Sequence, residues 1–229
     1  MAYKRYKMKK NPTFFDAAVL AVFILCLVFV AGYFLQRFIH SGTRNSIKGL
    51  KAPVQHEVDG GTVHMDKGGY DITITFKCSY DIDALVVHTK DYRGDSNMAD
   101  AISPVDLGLA WGKVAELNET VDFNWDQASR RCYCEVNSQE DMYLVGGEDF
   151  LNQSFSNNHI IPAEENVKRD VQRIRRGDHV RLRGYLVNVD GVEKKSGQGG
   201  YYWYSSTTRE DSGDGACEII YVTNVDWID

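Results

Sequence analysis

GDHVRLRGYLVNVDG, residues 177–191, is the stretch whose reading decides the fold. Val180, Leu182 and Leu186 alternate with Arg181, Arg183 and Tyr185, the period of two that marks a half-buried strand. Just upstream, AEENVKRDVQRIRRGD (163–178) keeps a helical period instead. Val167, Val171 and Ile174 fall at i, i+4 and i+7, the start is acidic, the end is basic, and Gly177 stops it.

Working outward, strands recur. YDITITFKCSYDIDALVVHTKDY reads as two, about 70–79 and 82–90. Further strands are expected at about 121–127, at 131–137, around QSFSNNHIIPA, in YYWYSS and in CEIIYVTNV, with a looser segment from Ser138 to Leu151. A second short helix is expected after Ser103, because Ser103 caps, Pro104 suits the first helical position and Asp106 closes a capping box. The class is therefore α+β, one mainly antiparallel β domain with two short helices. The helix followed by GDHVRLRGYLV resembles the helix-to-strand step of small OB-like barrels, so barrel-like closure is expected.

Ahead of this domain, Ala17–Leu35 (AAVLAVFILCLVFVAGYFL) holds nineteen residues without a charge. At about 1.5 Å per helical residue that suffices to cross a hydrocarbon layer of roughly 30 Å. No small-x-small site closes the run, so an uncleaved anchor is expected rather than a signal peptide. Lys4, Arg5, Lys7, Lys9 and Lys10 precede it, which favours a cytoplasmic N-terminus. The organisation expected is a basic cytoplasmic tail (1–16), a transmembrane helix (17–35), a stalk (36–69) and an extracytoplasmic domain (70–229). The location expected is the bacterial inner membrane, spanned once with the domain outside.

Charge narrows the partners. Up to Lys51 the chain has nine Lys/Arg and one Asp; beyond it stand seventeen Lys/Arg and thirty-one Asp/Glu. So acidic a domain is repelled by phosphate backbones, which argues against nucleic acid and leaves the membrane and a protein or envelope-polymer partner. The cluster Lys168, Arg169, Arg173, Arg175, Arg176, Arg181 and Arg183 is either a solvated face or a site for an acidic partner. Cys78, Cys132, Cys134 and Cys217 lie outside the apolar run and allow three complete pairings, which sequence does not choose among.

Two stretches carry candidate chemistry. His159 in SFSNNHIIPA is a possible base beside hydrogen-bonding neighbours. SSTTREDSGDGACE (205–218) crowds hydroxyls, an Arg, carboxylates, a thiol and glycines together. Catalytic candidates are His159, Asp106, Ser206, Asp211 and Cys217, with Ser205 or Ser206 as a further hydroxyl nucleophile. Binding candidates are Arg209, Trp203, Ser205, Glu218 and Trp111. Calcium on Asp211, Asp214, Glu218 and Ser212 matches no complete loop motif. Zinc on Cys132, Cys134, Cys217 and His159 rests on a weak C-x-C pair, so no metal and no cofactor are expected. Tyr201, Tyr202, Trp203 and Tyr204 form either a binding platform or, at alternate positions, core.

Three blocks, ISPVDLGLAWG (102–112), SNNHIIPA (156–163) and WYSSTTREDSGDGACEIIYV (203–222), together resemble an uncharacterised family of bacterial membrane-anchored extracytoplasmic proteins. Its members carry SPVDLALGWG, SANMHLIPA and WRSSLTRxDTGxGACE-like blocks in the same order. The resemblance implies shared roles for Ser103, Pro104, Asp106, Trp111, Gly112, His159, Pro162, Ser205, Ser206, Arg209, Asp211, Gly213, Gly215, Cys217 and Glu218. Tyr204 stands where that pattern has Arg, and Asn157-Asn158 depart from it too. The resemblance brings no activity. The leading expectation is an anchored domain that binds a protein partner or envelope component. The alternatives are a hydrolase-like enzyme centred on His159 and a structural subunit of an envelope assembly.

Overall fold

The computed structural model describes residues 14–40, 45–94, 97–195, 200–211, 213 and 215–228, in two compact units divided at Ser41/Gly42. The expected basic tail falls largely outside the described residues, as do Ser212 and Asp214.

The first unit is one helix, α1 (Phe14–His40). Its side chains are described from Val19 to Gly32, and the apolar ones there stand uncovered. Among the described residues no helix is long and apolar enough to cross a membrane.

The second unit is a mixed α+β domain, mostly sheet. Its strands are β1 (Val54–Glu57), β2 (Thr62–Lys67), β3 (Tyr70–Asp91), β4 (Val105–Ala110), β5 (Phe123–Ala128), β6 (Arg131–Val136), β7 (Phe155–Pro162), β8 (His179–Glu193), β9 (Gly200–Tyr204) and β10 (Glu218–Trp227). Between them lie α2 (Met98–Ile102), α3 (Gly112–Leu117), α4 (Gln139–Val145), α5 (Glu148–Asn152) and α6 (Glu165–Val171). The main sheet runs β1-β3-β4-β7-β10-β8-β9, and β3 also pairs with β8. Strands β3, β4, β7, β10 and β8 therefore form a ring, antiparallel at every step except β7 to β10. It is not a clean barrel, because β1, β2 and β9 extend the sheet beyond it.

The 177–191 stretch forms β8, whose buried residues Val180, Leu182, Leu186, Val187 and Val189 join the two apolar clusters of the interior. The two strands expected over 70–90 are one, β3, bent by irregularities at Phe76/Cys78 and Val86/His88 that let it leave β8 and pair with β4. The helix expected upstream of Gly177 is shorter than the period suggests, ending at Val171.

Two expectations are corrected. No helix starts at Ser103: VDLGLA is β4, with all six side chains buried, and the helix precedes it, capped by the Asn97 side chain accepting from Asp100 N. A strand covered on both faces loses its alternation, so Leu107 and Ala110 mimic helical spacing. Nor is 36–69 a bare stalk, since β1 and β2 pair with β3 and Leu50 enters the core. The looser segment after Ser138 holds α4 and α5.

Candidate functional site

Strands β4 and β7 pair with Asp106 opposite His159. Side chains of directly opposed residues share a face, and His159 Nδ1 lies 2.9 Å from Asp106 Oδ1. A carboxylate only accepts, so Nδ1 carries the proton and the imidazole is fixed in that tautomer. The third partner comes from the β5–β6 hairpin, whose two-residue loop is Ser129-Arg130. Both residues have positive φ, 49° and 62°. Two left-handed residues make the type I′ turn that matches strand twist, a place usually held by Asn-Gly. Here the strain presents Arg130 to the sheet. Its Nη2 donates to Asp106 Oδ1 (2.7 Å), Ser103 O (2.8 Å) and Ser103 Oγ (2.9 Å), and its Nη1 donates to Asp100 Oδ1 (2.7 Å). Gln127 Nε2 donates to Asp106 Oδ2 at 2.9 Å. The guanidinium also lies over the Tyr92 ring at 3.9 Å and near Trp203 at 5.3 Å, while His159 packs on Trp203 at 4.7 Å. In this clasp Asp106 is wholly buried and its carboxylate accepts from three side chains, while Arg130 Nε and Gln127 Oε1 beside it have no partner among the described residues. Burial and then the Asp106 carboxylate push the Tyr92 hydroxyl above its usual range.

Hairpin and main sheet are held close at Gly108, where a Cβ would come within 3.0 Å of both Cys132 Sγ and His88 Cβ. Asn157 ties the same layers. Its Nδ2 donates to Arg130 O (2.8 Å) and Cys217 Sγ (3.3 Å) and points at His159 Nε2 (3.5 Å). Two cavities flank it. One, of about 270 Å3, is bounded by Arg130, His159, Tyr201, Trp203, Tyr204 and Cys217. The other, of about 300 Å3, lies between Cys132–Cys134 of the hairpin, Phe155–Asn157 of β7 and the residues Thr208, Arg209, Asp211 and Ala216–Glu218. Glu218, 1% exposed, faces Arg209 in an ion pair there. Burial pushes the Glu218 carboxyl up to about 7, against the downward pull of Arg209.

The three blocks thus meet. Asp106 and His159 bond directly, Cys217 reaches His159 through Asn157, and Trp203 covers the imidazole. Asp211, Arg209, Cys217 and Glu218 line the second cavity. The hydroxyls are placed otherwise: Ser206 Oγ donates to Thr208 O and accepts from Thr208 N, while Ser205 Oγ donates to Ser206 O and accepts from Ile219 N. Neither bonds His159. Trp111 is a core residue ahead of α3, 3% exposed. Burial raises the thiols of Cys132, Cys134 (up to about 12) and Cys217, which keeps them protonated at neutral pH. All five cysteines are free thiols, and among the described residues no group of three or more His, Cys, Asp or Glu could hold a metal ion. In the basic cluster Lys168, Arg173, Arg181 and Arg183 sit in ion pairs with Glu165, Asp170, Asp81 and Asp226. Along β9, Tyr201 and Trp203 turn inward while Tyr202 and Tyr204 stand exposed.

Sequence reading passed over Arg130 and Gln127, and took Asn157 only as a hydrogen-bonding neighbour of His159, which it is. The available signal was the short gap Ala128-Ser129-Arg130 between two strand patterns, a turn without Gly, Asn or Asp. Compared with models of known protein families, with curated proteins and with solved structures, the chain matches none.

Proposed function

We propose that the protein is a single-pass, membrane-anchored protein whose acidic extracytoplasmic domain binds a protein partner or envelope component in the cleft over β4 and β7. The observation that carries the reading is the convergence of Asp106, His159, Trp203, Cys217 and Glu218, far apart in sequence, around two cavities under one hairpin. Binding is favoured over hydrolysis because neither Ser205 nor Ser206 hydrogen-bonds His159 and burial keeps the Cys217 thiol protonated. The ring β3-β4-β7-β10-β8, with parallel β7 and β10 and α6 between β7 and β8, supports an OB-like barrel. In such barrels the second and third strands, here β4 and β7, carry ligands, including oligosaccharides; this is analogy of fold. The anchor rests on the uncharged run Ala17–Leu35 and the helical backbone around it.

Two experiments test this. A photo-crosslinking residue at Tyr204, on the rim of the first cavity, is expected to give a discrete adduct in intact cells. The same residue at Tyr143, exposed and away from both cavities, is expected to give none. Identical patterns at the two positions would remove the binding reading. A reporter fused after Asp229 is expected to be active outside the cytoplasm, and activity only inside would overturn the topology.

A further inference from the structure

Strands β2, β3, β8 and β9 lie side by side. One of their faces is packed: Ile72, Ile74, Val189 and Trp203 join an apolar cluster with Met98 of α2. Side chains alternate along a strand, so the residues between these point to the other face. Register sets them in two rows that cross all four strands. Thr62, Thr75, Asn188 and Tyr204 make one row, and His64, Thr73, Asp190 and Tyr202 make the other. None of the eight is buried. Tyr202 is 68% exposed and Tyr204 51%, with ring centroids 6.2 Å apart. The Tyr204 hydroxyl donates to Asp190 Oδ1 at 2.8 Å, and Thr73 Oγ1 lies 3.1 Å from His64 Nδ1.

We infer that this open face binds a neutral oligosaccharide, with sugar rings laid on Tyr202 and Tyr204 and hydroxyls against the polar rows. Two exposed aromatic rings side by side are apolar surface left in water, and a ligand that covers them must offer C–H groups. Along each row the same ligand meets hydroxyl, carboxamide, carboxylate or imidazole groups. A sugar ring has both, C–H bonds on its faces and hydroxyls around its edge. An ordinary protein interface is apolar at its centre and polar at its rim. Here the rings stand at one margin, on the edge strand β9, and the middle is polar. Charge agrees with a neutral ligand. The rows hold one carboxylate, Asp190, already engaged by Tyr204. Beside them Asp66 and Asp71 pair with Lys194, and exposed Lys77 stands at the bulge of β3 beyond Thr75. A polyanion finds no surplus of cations there, and a polycation finds the aspartates engaged. Three strand spacings of about 4.8 Å make each row about 14 Å long, the scale of a short oligosaccharide. The face is turned away from the cleft proposed above, and Tyr204 alone borders both.

The test is ligand-observed NMR on the full chain with chitotriose, cellotriose and maltotriose, and with trigalacturonate and trilysine as charged counterparts. At least one neutral trisaccharide is expected to bind, about tenfold more tightly than either charged trimer. Tyr202→Ala is expected to weaken that binding about tenfold, and Tyr202→Phe by no more than about threefold, because the ring makes the contact. Tyr202 is exposed and borders neither cavity, so both variants leave the fold and the cleft intact. Tyr143→Ala, on exposed surface elsewhere, is expected to bind as the unaltered chain does. Binding of none of the three sugars, tighter binding of trilysine or trigalacturonate, or unchanged binding in Tyr202→Ala overturns the inference. Adducts at Tyr204 with no trisaccharide bound keep the cleft and remove this face.

Discussion

Two buried carboxylates face arginines in this domain, and they are built differently. Asp106 lies between strands in register and receives His159, Arg130 and Gln127. Glu218 opens β10 and meets Arg209 from the preceding loop. Donors for Asp106 stand on strands and on a strained turn docked over them. The cation beside Glu218 comes from one loop side chain. The difference teaches that burial alone does not set a carboxylate's surroundings: strand register gathers three donors on Asp106, whereas at Glu218 burial outweighs a single guanidinium and pushes the carboxyl up to about 7.

The contrast can be broken by experiment. Asp106→Ala strands Arg130 and His159 in the interior and is expected to cost about 3–5 kcal/mol in urea unfolding. A loss under about 1 kcal/mol would show that the clasp holds nothing together. Glu218 gives the next effect. Its folded pKa is raised from the ordinary 4.5 to about 7, so the folded state binds the extra proton between those values. Stability is then greatest below about pH 4.5 from this group and falls as pH rises through 7, by on the order of 3 kcal/mol. Glu218→Gln is expected to flatten that slope in unfolding measured from pH 5 to 8, and an unchanged slope would refute the assignment. Ser129→Gly relieves one left-handed residue and is expected to stabilise by about 1 kcal/mol, whereas destabilisation would deny that the turn is strained. Smallest of all, Arg181→Gln removes only an exposed pair with Asp81 and is expected to leave the unfolding midpoint unchanged.

Much of the sheet was legible because alternation is local: β8, β10 and the β5–β6 pair read directly from Val180–Val189, CEIIYVTNV and the strands around Arg130. Strand β4 was not, since full burial erased its alternation and Ser103-Pro104 imitated a helix start. The first two strands were hidden by the turn residues around Asp59-Gly60-Gly61: β2 pairs with β3 locally across Gly68-Gly69, while β1 reaches it at longer range. His159, Asp106 and Cys217 stood out by residue type. Their meeting, and the part played by Arg130 and Asn157, depends on register across β4 and β7 and on a turn docking, neither of which a single sequence spells out.

The most direct test follows the Glu218 carboxyl itself. Its 13C shift is measured in the full chain from pH 4 to pH 9. The account predicts a titration midpoint near 7, raised by burial. A midpoint near the ordinary 4.5 would contradict it.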